Sequence, residues 1–347
     1  MKKIFIILAI SSLIGFIIFL FIKVYKKTND EIKITDSDFI QHKNIYWGYG
    51  WKKKTDDKKK FIYSGSLPGS EFGFSFKDSD KISFSISSQV TAPLIGLEGW
   101  IDNNYFVFSY PSFKTPDTTL FIKKEDANKK HQIKARLFCY VIPYQPCDLL
   151  IKSIVLRSQA KILKEKTDRF SKIAILGDSI SAVLGNENYT YKLAGLLNAH
   201  ITNSSYDGSM VTNEQNDFPI PALARIENDI VPVKPNIILI FLGTNDLGKG
   251  VSLQNFKISY DKIIQTIRQK LPNVTIITVG LLPRMDIKSE KIMTYSSIIE
   301  NISRQNNLLF INPILWLSEK DFSDGLHPNL SAQQKLAGRF YEILKNY

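Results

Sequence analysis

Four histidines and two cysteines in 347 residues leave this chain little with which to hold a metal. Cys139 and Cys147 fit no common zinc spacing, and no histidine-rich tract accompanies them. No metal ion and no organic cofactor is therefore expected. The spacing leaves open whether the two thiols pair, although a disulfide would suit an exported domain. Disorder is excluded by a composition that is 44% hydrophobic and 22% charged, an ordinary globular balance. No recognised nucleic-acid-binding motif accounts for the net charge of +12. That charge is unevenly spread. Residues 1–27 carry five lysines and no acid, whereas residues 171–347 carry 17 basic and 16 acidic residues and are nearly neutral. The remaining +6 lies in residues 28–170, whose basic clusters are 52–60 and 123–136. Such clusters are usually solvated loops. Their functional reading is attraction to an anionic surface, lipid headgroups or an acidic glycan.

Long apolar runs are confined to the first segment. Residues 4–22 contain no charge and are flanked by Lys2 and Lys3 on one side and Lys23, Lys26 and Lys27 on the other. At ~1.5 Å per residue a helix there reaches about 28 Å, close to a bilayer core. No small-x-small cleavage site follows, so residues 1–27 are expected to be an uncleaved signal anchor. The soluble part would then lie outside the cytoplasm, on the periplasmic or extracellular face. From about residue 35 to 160 the texture changes to short alternating strands separated by turns rich in Gly, Pro, Asn and Asp, among them Phe72-Gly73-Phe74-Ser75-Phe76 and Lys81-Ile82-Ser83-Phe84-Ser85-Ile86. This predicts an all-β sandwich of jelly-roll type. The charged stretch 161–169 reads as a linker. From residue 170 to 347 strands alternate with helices, which predicts a parallel sheet in a flavodoxin-like three-layer α/β/α domain.

Ile173-Ala174-Ile175-Leu176 is a short buried-looking strand ended by Gly177-Asp178-Ser179, so Ser179 is offered to a cleft at the carboxyl edge of that sheet. A serine hydroxyl needs a base. Of His42, His131, His200 and His327, only His327 has a carboxylate, Asp324, three residues before it. At that spacing Asp324 can accept the Nδ1 proton across a turn and leave Nε2 facing the serine. An oxyanion needs donors, and the candidates are the backbone N–H of Ser179, the backbone N–H of Gly208 and the side-chain amide of Asn245. Asp178 and Asp246 are assigned to hydrogen bonding that holds the loops.

Gly177-Asp178-Ser179-Ile180, Gly208, Gly243-Thr244-Asn245-Asp246 and Asp324-Gly325-Leu326-His327, in this order, resemble the SGNH (GDSL-type) hydrolase superfamily. Ser179, Gly208, Asn245 and His327 match its four named residues. One departure is Val183, where family members often have glycine. The order of sandwich then hydrolase resembles carbohydrate esterase family two, exported enzymes that remove acetyl groups from polysaccharides. The resemblance implies a serine esterase acting through an acyl-enzyme on Ser179, with an acetylated carbohydrate as substrate. Two alternatives stand beside it: a glycan O-acetyltransferase using the same site, and a membrane-tethered glycan-binding protein without catalysis. The individual residues also have plainer readings. Ser179 can cap a helix, Asn245-Asp246 can make a turn, and His327-Pro328 can lead into a last helix whose capping box begins at Ser331. Trp316 can stack on a sugar or fill the core, and Arg284 can hold an acidic group or make a surface salt bridge.

Overall fold

The computed structural model describes residues 44–48, 51–55, 61–65, 70–88, 94–102, 104–110, 117–140, 149–164, 172–182, 188–212 and 221–347. The expected membrane span, Val183, Cys147 and the side chain of Cys139 lie outside the described residues. Among the described residues no helix is long and apolar enough to cross a membrane.

Sixteen strands form three sheets among the described residues. The first is antiparallel, in the order β1 (Tyr46–Trp47), β4 (Glu71–Lys77), β9 (His131–Tyr140), β6 (Leu94–Ile101), β7 (Asn104–Tyr110), with β11 (Lys161–Leu163) also pairing with β4. The second, also antiparallel, runs β2 (Trp51–Thr55), β3 (Phe61–Gly65), β10 (Leu149–Leu156), β5 (Lys81–Ser88), β8 (Asp117–Phe121). One apolar core joins the two sheets, with Phe72, Phe74 and Phe76 from the first and Ile82, Phe84 and Ile86 from the second. The alternation seen in the sequence is thus the inward face of a β-sandwich.

Two expectations need correction here. Lys52, Lys53 and Lys54 lie exposed on the edge strand β2, not in a loop, because Trp51 at the head of that strand is buried in the core. Lysines on an edge strand also block pairing with another chain. The stretch read as a linker begins with β11, because Ile162 packs against the sandwich core opposite Phe76.

The third sheet is parallel throughout, in the order β13 (His200–Ser205), β12 (Lys172–Gly177), β14 (Ile237–Phe241), β15 (Thr275–Val279), β16 (Leu309–Ile311). Alternate residues of its strands face two separate cores. Ala174, Leu176, Ile238 and Ile240 pack with Phe256, Tyr260 and Ile263 of helix Leu253–Lys270 and with Ile292 and Ile299 of helix Ser289–Gln305. Ile173, Ile175, Leu239 and Phe241 pack with Tyr189 and Leu193 of helix Tyr189–Leu197 and with Leu336 and Phe340 of helix Leu330–Leu344. This is the three-layer arrangement that an apolar parallel strand demands, since both of its faces must be covered. The last helix begins earlier than expected: Asn329 accepts from the Ala332 N–H, so the cap is Asn329 and not Ser331.

The sandwich and the parallel-sheet domain meet through a polar, aromatic seam. The Glu98 carboxylate, only 2% exposed, receives Arg136 and the Tyr105 hydroxyl, both about one hydrogen bond away at 2.6–2.7 Å. The Arg136 guanidinium lies 3.4 Å over the Tyr191 ring, and Trp100 stacks on the same ring at 4.1 Å. His200, at the head of β13, bonds to Glu71 of β4 at 2.7 Å and stacks on Tyr46. Arg136→Ala strands the buried Glu98 charge and is expected to destabilise the protein by about 3–5 kcal/mol. Denaturant unfolding checks this, and the double change Glu98→Leu with Arg136→Met should recover most of the loss.

Candidate active site

Three of the four sequence blocks leave adjacent strands at one level. In the parallel register Ser205 of β13, Gly177 of β12 and Phe241 of β14 lie side by side. Gly208 follows three residues beyond the first, Ser179 two beyond the second and Asn245 four beyond the third. The edge of the sheet therefore collects them without any long-range side-chain reach.

The turn that carries Ser179 is crowded. A Cβ on Gly177 would meet Ser205 Oγ at 2.6 Å and Ser181 Cβ at 2.8 Å, so the glycine of Gly-Asp-Ser is required by space. Ser179 opens a four-residue helix, Ser179–Ala182, too short to satisfy its own carbonyls. Side chains do so instead. Asn188 and Asn203 both donate to Ser181 O, at 2.9 and 2.7 Å, and Gln333 donates to Ile180 O at 3.3 Å. The Asp178 carboxylate, not Ser179, accepts the Ile180 N–H at 3.0 Å. The capping role thus falls to the aspartate, and the Ser179 hydroxyl bonds to His327.

His327 Nε2 lies 3.0 Å from Ser179 Oγ, and its Nδ1 lies 2.7 Å from Asp324 Oδ2. The other Asp324 oxygen accepts the backbone N–H groups of Leu326 and His327, at 3.0 and 2.7 Å. One carboxylate therefore shapes the turn and orients the ring. Burial works against the charged form of Asp324, but the hydrogen bonds from His327 and Leu326 outweigh it and lower its carboxyl to about 2. Asp324 stays an acceptor at any pH near neutral.

The second and third blocks are tied to each other. Asn245 Nδ2 donates to Ser209 O at 2.9 Å. The buried Asp246 carboxylate accepts the N–H groups of Val211 and Thr212, at 2.9 and 3.1 Å, and the Thr212 hydroxyl at 2.8 Å. Asp246 is therefore the loop-holding residue its assignment expected. Gly208 sits exposed in the turn before Ser209, with φ of 73°. Trp316 packs edge-on against Phe340, 5.1 Å between ring centroids, which is core packing. His131 is held by Asp102 and the carbonyl of Asp126 within the sandwich, and His200 by the domain seam, so neither stands at the serine.

Arg225 is the main participant that the sequence reading missed. It is fully buried, and its Nη1 donates to the carbonyls of Gly177, at 3.1 Å, and of Ser204, clamping the ends of β12 and β13. An arginine inside the otherwise apolar Ala222-Leu223-Ala224-Arg225-Ile226 was the available signal.

Asp178 is also fully buried. Desolvation pushes its carboxyl up to about 7, against the opposing pull of the Ile180 amide and the His327 and Arg225 charges. An unfolded aspartate titrates near ~3.9, so the folded state holds this proton more tightly. The stabilising contribution is complete below the unfolded value and is lost as pH rises through about 7. Asp178→Asn keeps an oxygen for Ile180 and removes the titration. The variant should gain stability relative to wild type between pH 5 and pH 8, as melting temperatures across that range will show.

Residues 175–335 match the GDSL-like Lipase/Acylhydrolase family. Among curated proteins, Esterase TesA of Pseudomonas aeruginosa is 25% identical over 178 residues, covering 50% of this chain and 87% of that protein. Among solved structures, a family two carbohydrate esterase from Clostridium thermocellum in complex with cellohexaose aligns with a TM-score of 0.69 at 18% identity, covering 87% of this chain and 98% of that one. The acetyl xylan esterase Est2A of the rumen bacterium Butyrivibrio proteoclasticus aligns with a TM-score of 0.68 at 15% identity, covering 90% and 98%. At these identities the two structures establish a shared fold.

Proposed function

From the premise that its C-terminal domain is an SGNH hydrolase of the GDSL-type acylhydrolase class, in a layout resembling carbohydrate esterase family two, we propose that this ester hydrolase removes O-acetyl groups from a polysaccharide or cell-wall glycan. The observation that carries this reading is the unbroken hydrogen-bond chain from Asp324 through His327 to Ser179. In the proposed reaction His327 Nε2 takes the Ser179 proton as Oγ attacks the acyl carbon. Asp324 holds Nδ1–H and stabilises the imidazolium that forms. The Ser179 and Gly208 amides and the Asn245 side chain bear the oxyanion. Collapse expels the sugar hydroxyl, protonated by His327, and leaves an acetyl-Ser179 ester. Water activated by the same imidazole then releases acetate.

Carbohydrate as the substrate class is supported by the family two esterase whose structure holds cellohexaose, and acetate as the acyl group by the acetyl xylan esterase. The sandwich serves as a jelly-roll accessory domain, and residues 1–27 as the anchor that keeps both domains outside the cytoplasm. Incubating the full chain with an acetylated glycan and a free sugar acceptor tests the reading. Free acetate in step with glycan deacetylation is expected. Acetyl recovered on the acceptor would make the protein a transferase, and neither product would leave the glycan-binding alternative.

A further inference from the structure

Arg284 stands on the loop after β15 with its side chain only 8% exposed, and every one of its described bonds is internal. Its Nε and Nη2 form a fork on Asp286, at 2.9 and 2.7 Å, and its Nη1 donates to the Thr244 carbonyl at 2.7 Å. Room for that last contact comes from Gly248, where a Cβ would meet Nη1 at 2.8 Å. The Thr244 carbonyl belongs to the same rigid peptide plane as the Asn245 N–H, so holding it fixes the approach of the chain to Asn245. The next residue on the loop reaches the other half of the site. Met285 N–H donates to Gly325 O at 2.8 Å. That carbonyl shares its peptide plane with the Leu326 N–H, which donates to Asp324.

We propose that Arg284 is a positioning residue that braces the helix start at Thr244–Asn245 against the Asp324–His327 turn, and that it does not bind an acidic substrate group. The inference rests on the function proposed above and adds one cross-link to it. Two blocks some 80 residues apart in sequence, joined to the sheet by separate strands, have no covalent reason to keep a fixed spacing. The neighbouring contacts of Arg284 Nη1 with Thr244 O and of Met285 N–H with Gly325 O supply one, and the planar, bidentate bonds to Asp286, which a lysine cannot reproduce, hold the guanidinium in place for it. The Asp286 carboxyl is held below the usual range by the Arg284 hydrogen bonds and stays charged, which keeps the fork closed. Three of its five N–H groups are engaged and its side chain is 8% exposed, so Arg284 presents little surface to a substrate carboxylate.

The test compares wild type, Arg284→Lys and Arg284→Met on a neutral ester, 4-nitrophenyl acetate, and on an acetylated uronic-acid polymer. A misplacement of about 1 Å costs roughly 100-fold. We expect kcat to fall ~10- to 100-fold on both esters with KM nearly unchanged, and Asp286→Asn to give a smaller fall in the same direction. Amide hydrogen exchange should quicken in peptides spanning 243–250 and 321–328 in the Arg284 variants, and less elsewhere. Unchanged kcat with unchanged exchange overturns the brace. A rise in KM confined to the acidic polymer overturns it in favour of substrate binding. Should wild type cleave neither ester, the proposed function fails, and the exchange measurement still decides whether Arg284 braces the two segments.

Discussion

Ser179→Ala is expected to bring acetyl-ester hydrolysis down by roughly 10⁶-fold, the scale on which loss of the nucleophile acts in serine hydrolase triads. The hydroxyl bonds to His327 at 3.0 Å and is only partly buried, so its removal leaves no cavity and no stranded buried group. Melting temperature should therefore stay within about a degree or two of wild type, as for surface changes that break no packing. The separation of the two effects is the informative part. A fluorophosphonate probe should label wild type at Ser179, seen as a mass increase on the peptide that carries it, and leave the variant unlabelled. If the alanine variant hydrolysed the ester at the wild-type rate, the chemistry would have to reside elsewhere in the chain.

Asn245→Ala should lower kcat by about 100- to 1,000-fold, equivalent to ~2.7–4 kcal/mol of transition-state stabilisation. KM should move little, because an oxyanion donor matters most when the carbonyl oxygen has become tetrahedral and charged. Asn245 also donates to Ser209 O, so the substitution releases one bond to the loop that bears Gly208 as well. Asp246 guards against that confusion, since its three bonds to Val211 and Thr212 hold the same loop independently. A purely structural role would lower stability and raise KM. A kcat loss at constant KM and constant melting temperature identifies the donor.

The strands of the parallel sheet were legible because they are short, apolar and bounded by glycine or polar residues, and burial on both faces demands that pattern. The Asp324 to His327 spacing was legible for a different reason: it is local, and a three-residue turn almost fixes what the carboxylate can reach. The strands between 46 and 65 escaped notice: β1 is only two residues long, β3 is five residues without a clear alternation, and β2 is mostly lysine, its anchoring tryptophan showing its role only when the core closes over it. Arg225 escaped too, as did the contact of Arg284 with the Thr244 carbonyl. Each arginine bonds to backbone carbonyls contributed by distant segments, and a carbonyl carries no sequence signature.

The sequence by itself determined which side chains the candidate site would gather, because they are marked by local pattern: one histidine with a carboxylate three residues before it, one serine after a buried strand and one asparagine after another. Tertiary structure alone decided how those groups are held. The Arg136–Tyr191 seam, the clamp of Arg225 on two strand ends and the brace of Arg284 between two loops all join residues far apart in the chain. Their energies depend on burial and on hydrogen-bond geometry, quantities that arise only once the chain has folded.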